Sequence, residues 1–321
     1  GVLWEGDRIY LYTGFCGQGD TSRNGAMVTV LDTDMLTVKE APKFVAPPEW
    51  KSGGTGFEGH GFFEAPSIRK IGETYYFIYS SSVMHELCYA TSRFPDREFT
   101  YRGVLVSNCD LHIDSYKPAE KPMAYGSNNH GSLVEIGGEW YIFYHRHTNG
   151  SWYCRQGCAE RLERSADGSF SQAELTSCGL NGRPLKGEGE YPAYLACNLF
   201  TEEDSIYVGG GRFPKIMQDG RDGDEEPGYV ANMEHGATAG FKYFDCQGIR
   251  RVTIWTRGYA KGVFEVRLVW DGPVVAEIPI EFTNVWEPYT AEVDIPDGIH
   301  ALYFTFSGDG NASLRSFRLE T

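Results

Sequence analysis

The tightest constraint on this chain is a repeat. Gly1–Tyr12, Ser67–Tyr79 and Ser132–Tyr144 share one pattern: an apolar stretch, a glycine-acidic turn, then an aromatic run. The turn glycines Gly6, Gly72 and Gly138 are spaced by 66 residues each time. β-Branched and aromatic runs on both sides of a glycine turn predict a hairpin in every unit. Between the hairpins lie further strand-like runs at Ala26–Leu31, Leu87–Thr91 and Gly157–Leu162. A unit of several antiparallel strands repeated at a fixed period predicts the blades of a β-propeller. Tandem hairpins of a sandwich are the alternative, but they give no reason for equal spacing. Propellers close with roughly 4–8 blades. Three units fill residues 1 to about 200, so a segment outside this chain is expected to complete the ring.

Further on, the pattern changes. Gln218–Pro227 is polar, acidic and glycine-rich, and reads as an interdomain linker. Its spaced aspartates could hold calcium, but the order lacks a full calcium loop. Short strands then recur: Phe241–Phe244, Arg251–Arg257, Val263–Trp270, Glu277–Phe282, Tyr289–Val293, His300–Ser307 and Ser313–Leu319. About seven short strands with a Pro296-Asp-Gly298 turn predict a β-sandwich. The expected organisation is all-β: a propeller over 1–217, a linker over 218–227 and a sandwich over 228–321. A length of 321 residues accommodates two such domains.

Composition then narrows the function. A formal net charge of −15 argues against a nucleic-acid partner, because a phosphate backbone needs a lysine- and arginine-rich surface. No run of about 18 apolar residues is present to span a bilayer. Aromatic residues make up 14% of the chain, enough to fill β cores and to stack on the flat faces of a ligand. The eight cysteines are scattered and read as small buried hydrophobes. Cys154 and Cys158 alone form only half of a zinc pattern.

Glu64 stands out among the residues that could carry chemistry. It precedes the first strand of a unit, where a propeller strand faces the axial cavity. Beside Phe62 and Phe63 its carboxyl would be partly desolvated, which favours the protonated form that a general acid needs. A surface-loop glutamate is the ordinary alternative. His130 holds nearly the same place one unit later, facing the cavity or bonded at a strand end. His145 and His147 share one strand face, suited to packing or to a metal pair.

The motifs Phe62-Phe-Glu-Ala-Pro-Ser-Ile68, Tyr75-Tyr-Phe-Ile-Tyr-Ser-Ser81, Asn128-Asn-His-Gly-Ser132 and Trp140-Tyr-Ile-Phe-Tyr-His-Arg-His147, in that order, resemble the family 43 glycoside hydrolases. The likeness covers about residues 1–200. It implies a five-bladed β-propeller and an inverting mechanism with an Asp base, a Glu acid and a second Asp that tunes the acid. Glu64 matches the acid. Neither aspartate has a counterpart: one repeat before Glu64 falls ahead of Gly1, and Asp7, Asp20, Asp32 and Asp34 lie by pattern in turns or outer strands. The resemblance implies that Phe63 and Asn129 line the substrate site. Arg155 would contact substrate through its guanidinium, with Arg161 as the competing candidate and an ion pair to Glu160 as the structural alternative. It also implies that His130 helps to hold a hydrated metal. No cofactor is required, and a structural calcium ion at the axis is the metal it allows.

The stretches Gly228-Tyr229, Gly240-Phe-Lys-Tyr-Phe244, Val285-Trp286 and Ser313-Leu-Arg-Ser-Phe317 resemble the family 6 carbohydrate-binding modules, which clamp a sugar between two aromatic rings and anchor it with an asparagine. Tyr229 and Trp286 match the rings. Ser313 stands where the asparagine belongs, with Asn311 close by, so weak sugar binding or a purely structural sandwich is expected. The whole reads as an inverting α-L-arabinofuranosidase or β-xylosidase acting on side chains or ends of plant cell-wall polysaccharide. A β-galactosidase-type activity or a non-catalytic carbohydrate-binding protein are the alternatives. The partner is an oligosaccharide or polysaccharide, and a polymeric substrate favours an extracellular site.

Overall fold

The computed structural model describes residues 1–15, 24–113, 121–126, 128–201, 213–220 and 227–321. Cys16, Asp20 and most of the expected linker (221–226) lie outside the described residues. Beyond three short 3-10 turns, the described structure is all-β. It parts into two compact units. The first comprises Gly1–Asn108, Ser127–Arg146 and Gly157–Ala173; the second comprises Cys109–Gly126, His147–Gln156 and Glu174–Thr321.

Three antiparallel meanders follow one another along the first part of the chain. One joins β1 (Val2–Glu5), β2 (Arg8–Gly14), β3 (Ala26–Leu31) and β4 (Val38–Ala46). The next joins β5 (Phe62–Ile71), β6 (Thr74–Ser81), β7 (Leu87–Ser92) and β8 (Thr100–Val106). The last joins β9 (Ser132–Ile136), β10 (Glu139–His147) and β11 (Arg155–Leu162). The repeat is thus realised as three hairpins in three separate sheets. Two-residue turns close them between Glu5 and Arg8, Ile71 and Thr74, and Ile136 and Glu139. In the third turn both Gly137 and Gly138 are left-handed (φ 61° and 86°), as a tight hairpin of this type requires.

The first strands of the three sheets lie next to one another. Ser67 Oγ donates to Ser132 Oγ at 3.1 Å, and Arg69 Nε donates to the Leu133 carbonyl at 3.0 Å. On the other side Gly1 abuts Pro66 and Ser67 so closely that a Cβ there would stand 2.8 Å from the Pro66 oxygen. β6 and β7 are buried on both faces, which explains why they read as continuous apolar runs rather than alternating ones. Tyr12, Val28, Phe62, Phe77 and Tyr79 pack into one core with Cys88. Burying one such aromatic ring contributes roughly 1.5–3 kcal/mol.

The second unit departs from the expected boundary. Four short strands ahead of the supposed linker belong to its sheet rather than to the N-terminal part: β12 (Leu185–Lys186), β13 (Gly189–Pro192), β14 (Asn198–Phe200) and β15 (Lys215–Met217). They join β16 (Tyr229–Met233), β17 (Thr238–Cys246), β18 (Arg251–Arg267), β19 (Val274–Ile280), β20 (Thr283–Glu292) and β21 (Gly298–Glu320). β12 and β14 pair with β17, β13 pairs with β21, and β15 pairs with β16. Strands of two to four residues carry no readable periodicity, and only their distant partners define them. A buried polar cluster adds to this weave. Asp110 accepts from Lys242 Nζ (3.1 Å), Asn198 Nδ2 (3.1 Å) and the Leu175 amide (2.8 Å), while Lys242 also pairs with Glu174 at 2.9 Å.

A second difference concerns strand length. Arg251–Arg257 and Val263–Trp270, expected as separate strands, merge into the 17-residue β18, and the last two expected strands merge into the 23-residue β21. The two long strands pair along their length, with Gly262 opposite Gly308. A Cβ on either glycine would collide with the partner backbone. These glycines therefore mark a close approach of two paired backbones within continuous strands. Phe241, Phe244, Phe264, Phe304, Phe306 and Phe317, all fully buried, fill the core beside them.

Candidate active site

Glu64 lies near the start of β5, where the strand is irregular. Its register with β6 slips between Phe62 and Glu64 and again between Glu64 and Ser67, and Ala65 is left-handed at φ 62°. A non-glycine residue in that region costs roughly 1–2 kcal/mol, and a bulge of this kind re-aims the side chains beside it. Phe62 turns into the core against Phe77 and Tyr79 (ring centroids 6.2 and 5.9 Å). The Glu64 side chain stays half-buried at 20% exposure.

His85 stands against it. Its Nδ1 is 3.7 Å from Glu64 Oε1, and its ring meets the edge of Phe63 at 4.7 Å and 89°. His85 comes from the turn between β6 and β7, where Met84 and His85 are both left-handed (φ 50° and 56°). The next residue, Glu86, is fully buried. Its Oε1 accepts from Ser81 Oγ (3.0 Å) and Cys88 Sγ (3.5 Å), and lies 2.6 Å from His60 Nδ1. His60 stacks on Tyr101 at 4.9 Å. The hydrogen bond to Glu86 pushes the His60 imidazole above its ordinary value against the opposing effect of burial, and burial pushes the Cys88 thiol up. His60, Glu86 and Cys88 offer ligand types that could hold a metal. Two tetrahedral ligand atoms about 2.0–2.1 Å from an ion would be roughly 3.3 Å apart. The 2.6 Å between His60 and Glu86 is a hydrogen bond instead, and the trio forms a buried clamp under the turn.

Asn129 and His130 precede β9 as Glu64 precedes the bulk of β5. Asn129 is fully buried, and its amide is engaged at both ends: Nδ2 donates to Asn108 Oδ1 and Oδ1 accepts from the His145 amide, both at 3.3 Å. Asn108 in turn donates to the His145 carbonyl at 3.2 Å. This two-asparagine bridge fixes β10 against the segment carrying His130. The His130 amide donates to His145 Nε2 at 3.2 Å, and the two rings meet at 5.5 Å with the His130 side exposed. Glu160 accepts from Tyr144 OH at 3.0 Å, and Arg161 pairs with Glu139 at 3.2 Å.

In the second unit, His147 is buried and its Nδ1 donates to the Ser151 carbonyl at 2.9 Å. Arg155 donates from Nε and Nη2 to the Trp152 carbonyl (3.1 and 2.8 Å) and lines a cleft of about 460 Å³ with Asn149, Gln156, Tyr194 and Gly228. Tyr229 and Trp286 do meet, with ring centroids 5.4 Å apart at 65°. Arg257, which sequence reading passed over, covers both rings: its guanidinium carbon lies 4.3 Å from the Trp286 centroid and 5.0 Å from that of Tyr229. Asp219 fixes this arrangement, accepting two bonds from Arg257 Nη2 (2.7 and 2.9 Å) and one from Tyr229 OH (3.0 Å). Burial, with Asp219 adding to it, pushes the Tyr229 phenol up. Arg257 sits opposite Ser313 in the ladder, and Asn311 is tied to Glu234 Oε1 at 3.1 Å. Neither His85 nor Arg257 belongs to a motif; only strand register and a turn bring them to these places.

Comparison with known proteins gives the class of this all-β chain. Residues 1–170 match the model of the glycosyl hydrolases family 43. A xylosidase/arabinosidase of Thermoclostridium stercorarium is 65% identical over 326 aligned residues, covering all of this chain and 69% of that protein. A xylosidase/arabinosidase of Bacteroides ovatus is 30% identical over 184 residues, covering 54% of this chain and 52% of that protein. Among solved structures, a family 43 arabinoxylan arabinofuranohydrolase from Bacillus subtilis, in complex with cellotetraose, aligns with a TM-score of 0.45 at 21% identity, over all of this chain and 66% of that one. The module CsCBM6-3 from Clostridium stercorarium, with cellobiose, aligns at 0.36 and 15% identity, over 44% of this chain and 98% of that one. The chain belongs to the glycosyl hydrolases of family 43.

Proposed function

We propose that the first unit, Gly1–Asn108 with Ser127–Arg146 and Gly157–Ala173, forms part of a five-bladed β-propeller whose Glu64 is the general acid for inverting hydrolysis of α-L-arabinofuranosyl or β-xylosyl groups on hemicellulose. The carrying observation is the placement of Glu64: a half-buried carboxyl on a bulged first strand, beside Phe63 and His85. Three such sheets stand among the described residues, one short of the smallest usual ring, so further sheets would be needed to close it. In the proposed reaction Glu64 gives its proton to the glycosidic oxygen as the anomeric C–O bond breaks. Water adds at the anomeric carbon from the opposite face and loses its proton to an Asp base, roughly 6.5–9.5 Å from the acid. Phe63 would contact sugar. Asn129 would act by holding His130, and His130 would help to hold a hydrated calcium ion. The sandwich would bind glycan weakly through Tyr229 and Trp286.

The test is a panel of nitrophenyl α-L-arabinofuranoside, β-D-xyloside and β-D-galactoside on the full-length natural protein, with proton NMR of the first-formed anomer. Turnover of the first two with inversion supports the reading. Retention of configuration, or activity on the galactoside alone, would refute it.

A further inference from the structure

We propose that His85 is a positioning residue for the acid, held over Glu64 by a turn that buried Glu86 locks from beneath; this rests on the reading of Glu64 as the general acid. A carboxyl at the start of a bulged strand has several rotamers open to it, and a catalytic proton must be delivered from one of them. His85 narrows the choice by standing against one carboxylate oxygen. Its Nδ1 is 3.7 Å from Glu64 Oε1, within reach of a hydrogen bond after a small rotation, and its ring is braced edge-on by Phe63.

The turn itself is fixed independently of Glu64. Two successive left-handed residues, Met84 and His85, are an unfavourable local conformation for residues with a Cβ. The surroundings must therefore hold it. The Glu86 amide donates to the Val83 carbonyl (3.0 Å), the Ser81 amide donates to the Glu86 carbonyl (2.9 Å), and the Glu86 carboxylate is bonded to Ser81, His60 and Cys88. Glu86 thus points into the sheet while its neighbour His85 points at the acid. Strain kept at one place by a buried polar anchor is characteristic of functional sites. Among the described residues, Glu64 from β5 faces the His85 imidazole, while Glu86 behind the turn is bonded to His60.

The experiment compares His85→Ala, His85→Asn and Glu64→Gln in the full-length natural protein. Substrates are an alkyl or oligosaccharide glycoside, which needs acid assistance, and a dinitrophenyl glycoside, which does not. His85→Ala is expected to lower kcat/KM about 10- to 100-fold on the poor leaving group and less than about threefold on the good one, as misplacement of a catalytic group does. His85→Asn, whose amide nitrogen can stand near the Nδ1 position, should recover part of the loss. Equal losses on both substrates, or no recovery with Asn, overturn the proposal while the Glu64 reading stands. Loss of leaving-group selectivity in Glu64→Gln itself refutes the acid, and His85 falls with it. A direct readout uses residues 1–321 without catalysis. The ring proton and nitrogen chemical shifts of His85 should change in Glu64→Gln, because the side chain 3.7 Å away is altered. Unchanged ring shifts overturn the contact.

Discussion

Replacing Arg257 by alanine should convert a closed aromatic pair into an open one. A sugar ring held between two aromatic faces needs those faces roughly 7–8 Å apart, two van der Waals contacts of 3.5–4.0 Å. Tyr229 and Trp286 are 5.4 Å apart at 65°, and Arg257 covers both. To enter, a sugar must displace two partly exposed cation–π contacts, worth roughly 0.5–1 kcal/mol each. It must also break a half-exposed Arg257–Asp219 pair, worth roughly 0.2–1 kcal/mol. Together these cost roughly 1–3 kcal/mol, or about one to two orders of magnitude in affinity. Arg257→Ala is therefore expected to bind xylo- or arabino-oligosaccharides about 10-fold more tightly than the wild-type chain, while losing about 1 kcal/mol of folding stability. Isothermal calorimetry on residues 1–321 reads the affinity, and urea unfolding reads the stability. Unchanged affinity, or a gain that survives Trp286→Ala in the same background, would show that the pair is not a sugar clamp held shut by arginine.

Other substitutions test the remaining structure. Glu64→Gln in the full-length protein should fold normally and lose about two to four orders of magnitude on poor leaving groups, much less on aryl glycosides; equal loss would refute the acid role. The raised imidazole of His60 stabilises the fold fully below its ordinary value and loses that contribution as pH rises through the higher folded value. Urea midpoints of wild type should therefore fall between pH 6 and 9 relative to Glu86→Gln, and parallel curves would exclude the linkage. Gly131→Ala places a Cβ against the Phe143 carbonyl and Leu87 Cδ1, and should lower stability by about 1–3 kcal/mol in thermal unfolding.

Local pattern was a good guide where strands pair with their sequence neighbours. Ala26–Leu31 is β3 as expected, Leu87–Thr91 falls one residue short of β7, and the three hairpin turns stand where the 66-residue period put them. Such pairs are specified by the turn and by the flanking apolar runs. The pattern failed where partners are distant. β12 to β15 have too few residues to show alternation, and Gly258, Gly262, Gly308 and Gly310 broke β18 and β21 into apparent fragments although the backbone runs on. At the proposed site, the place of Glu64 at the start of a strand was legible from the long motif around it. His85 was not, since a turn with two left-handed non-glycine residues has no composition signal. Tyr229 and Trp286 were paired correctly, but the cation between them is visible only through strand register.

The weave of β12–β15 into the second sheet has a consequence for how this chain can be divided. A fragment cut at the acidic segment before Gly228 would strip β13 from one edge of β21 and β14 from β17, leaving open hydrogen-bonding edges beside the Phe244 and Phe317 rings that Tyr191 now covers. Bare edges of that kind invite strand-to-strand aggregation. The transplantable module is therefore longer than its own strand pattern suggests: a genetic fusion that moves it to another enzyme must carry β12 to β15 and also Asp110 and Glu174, the buried partners of Lys242, and any graft that begins at residue 228 is expected to be insoluble.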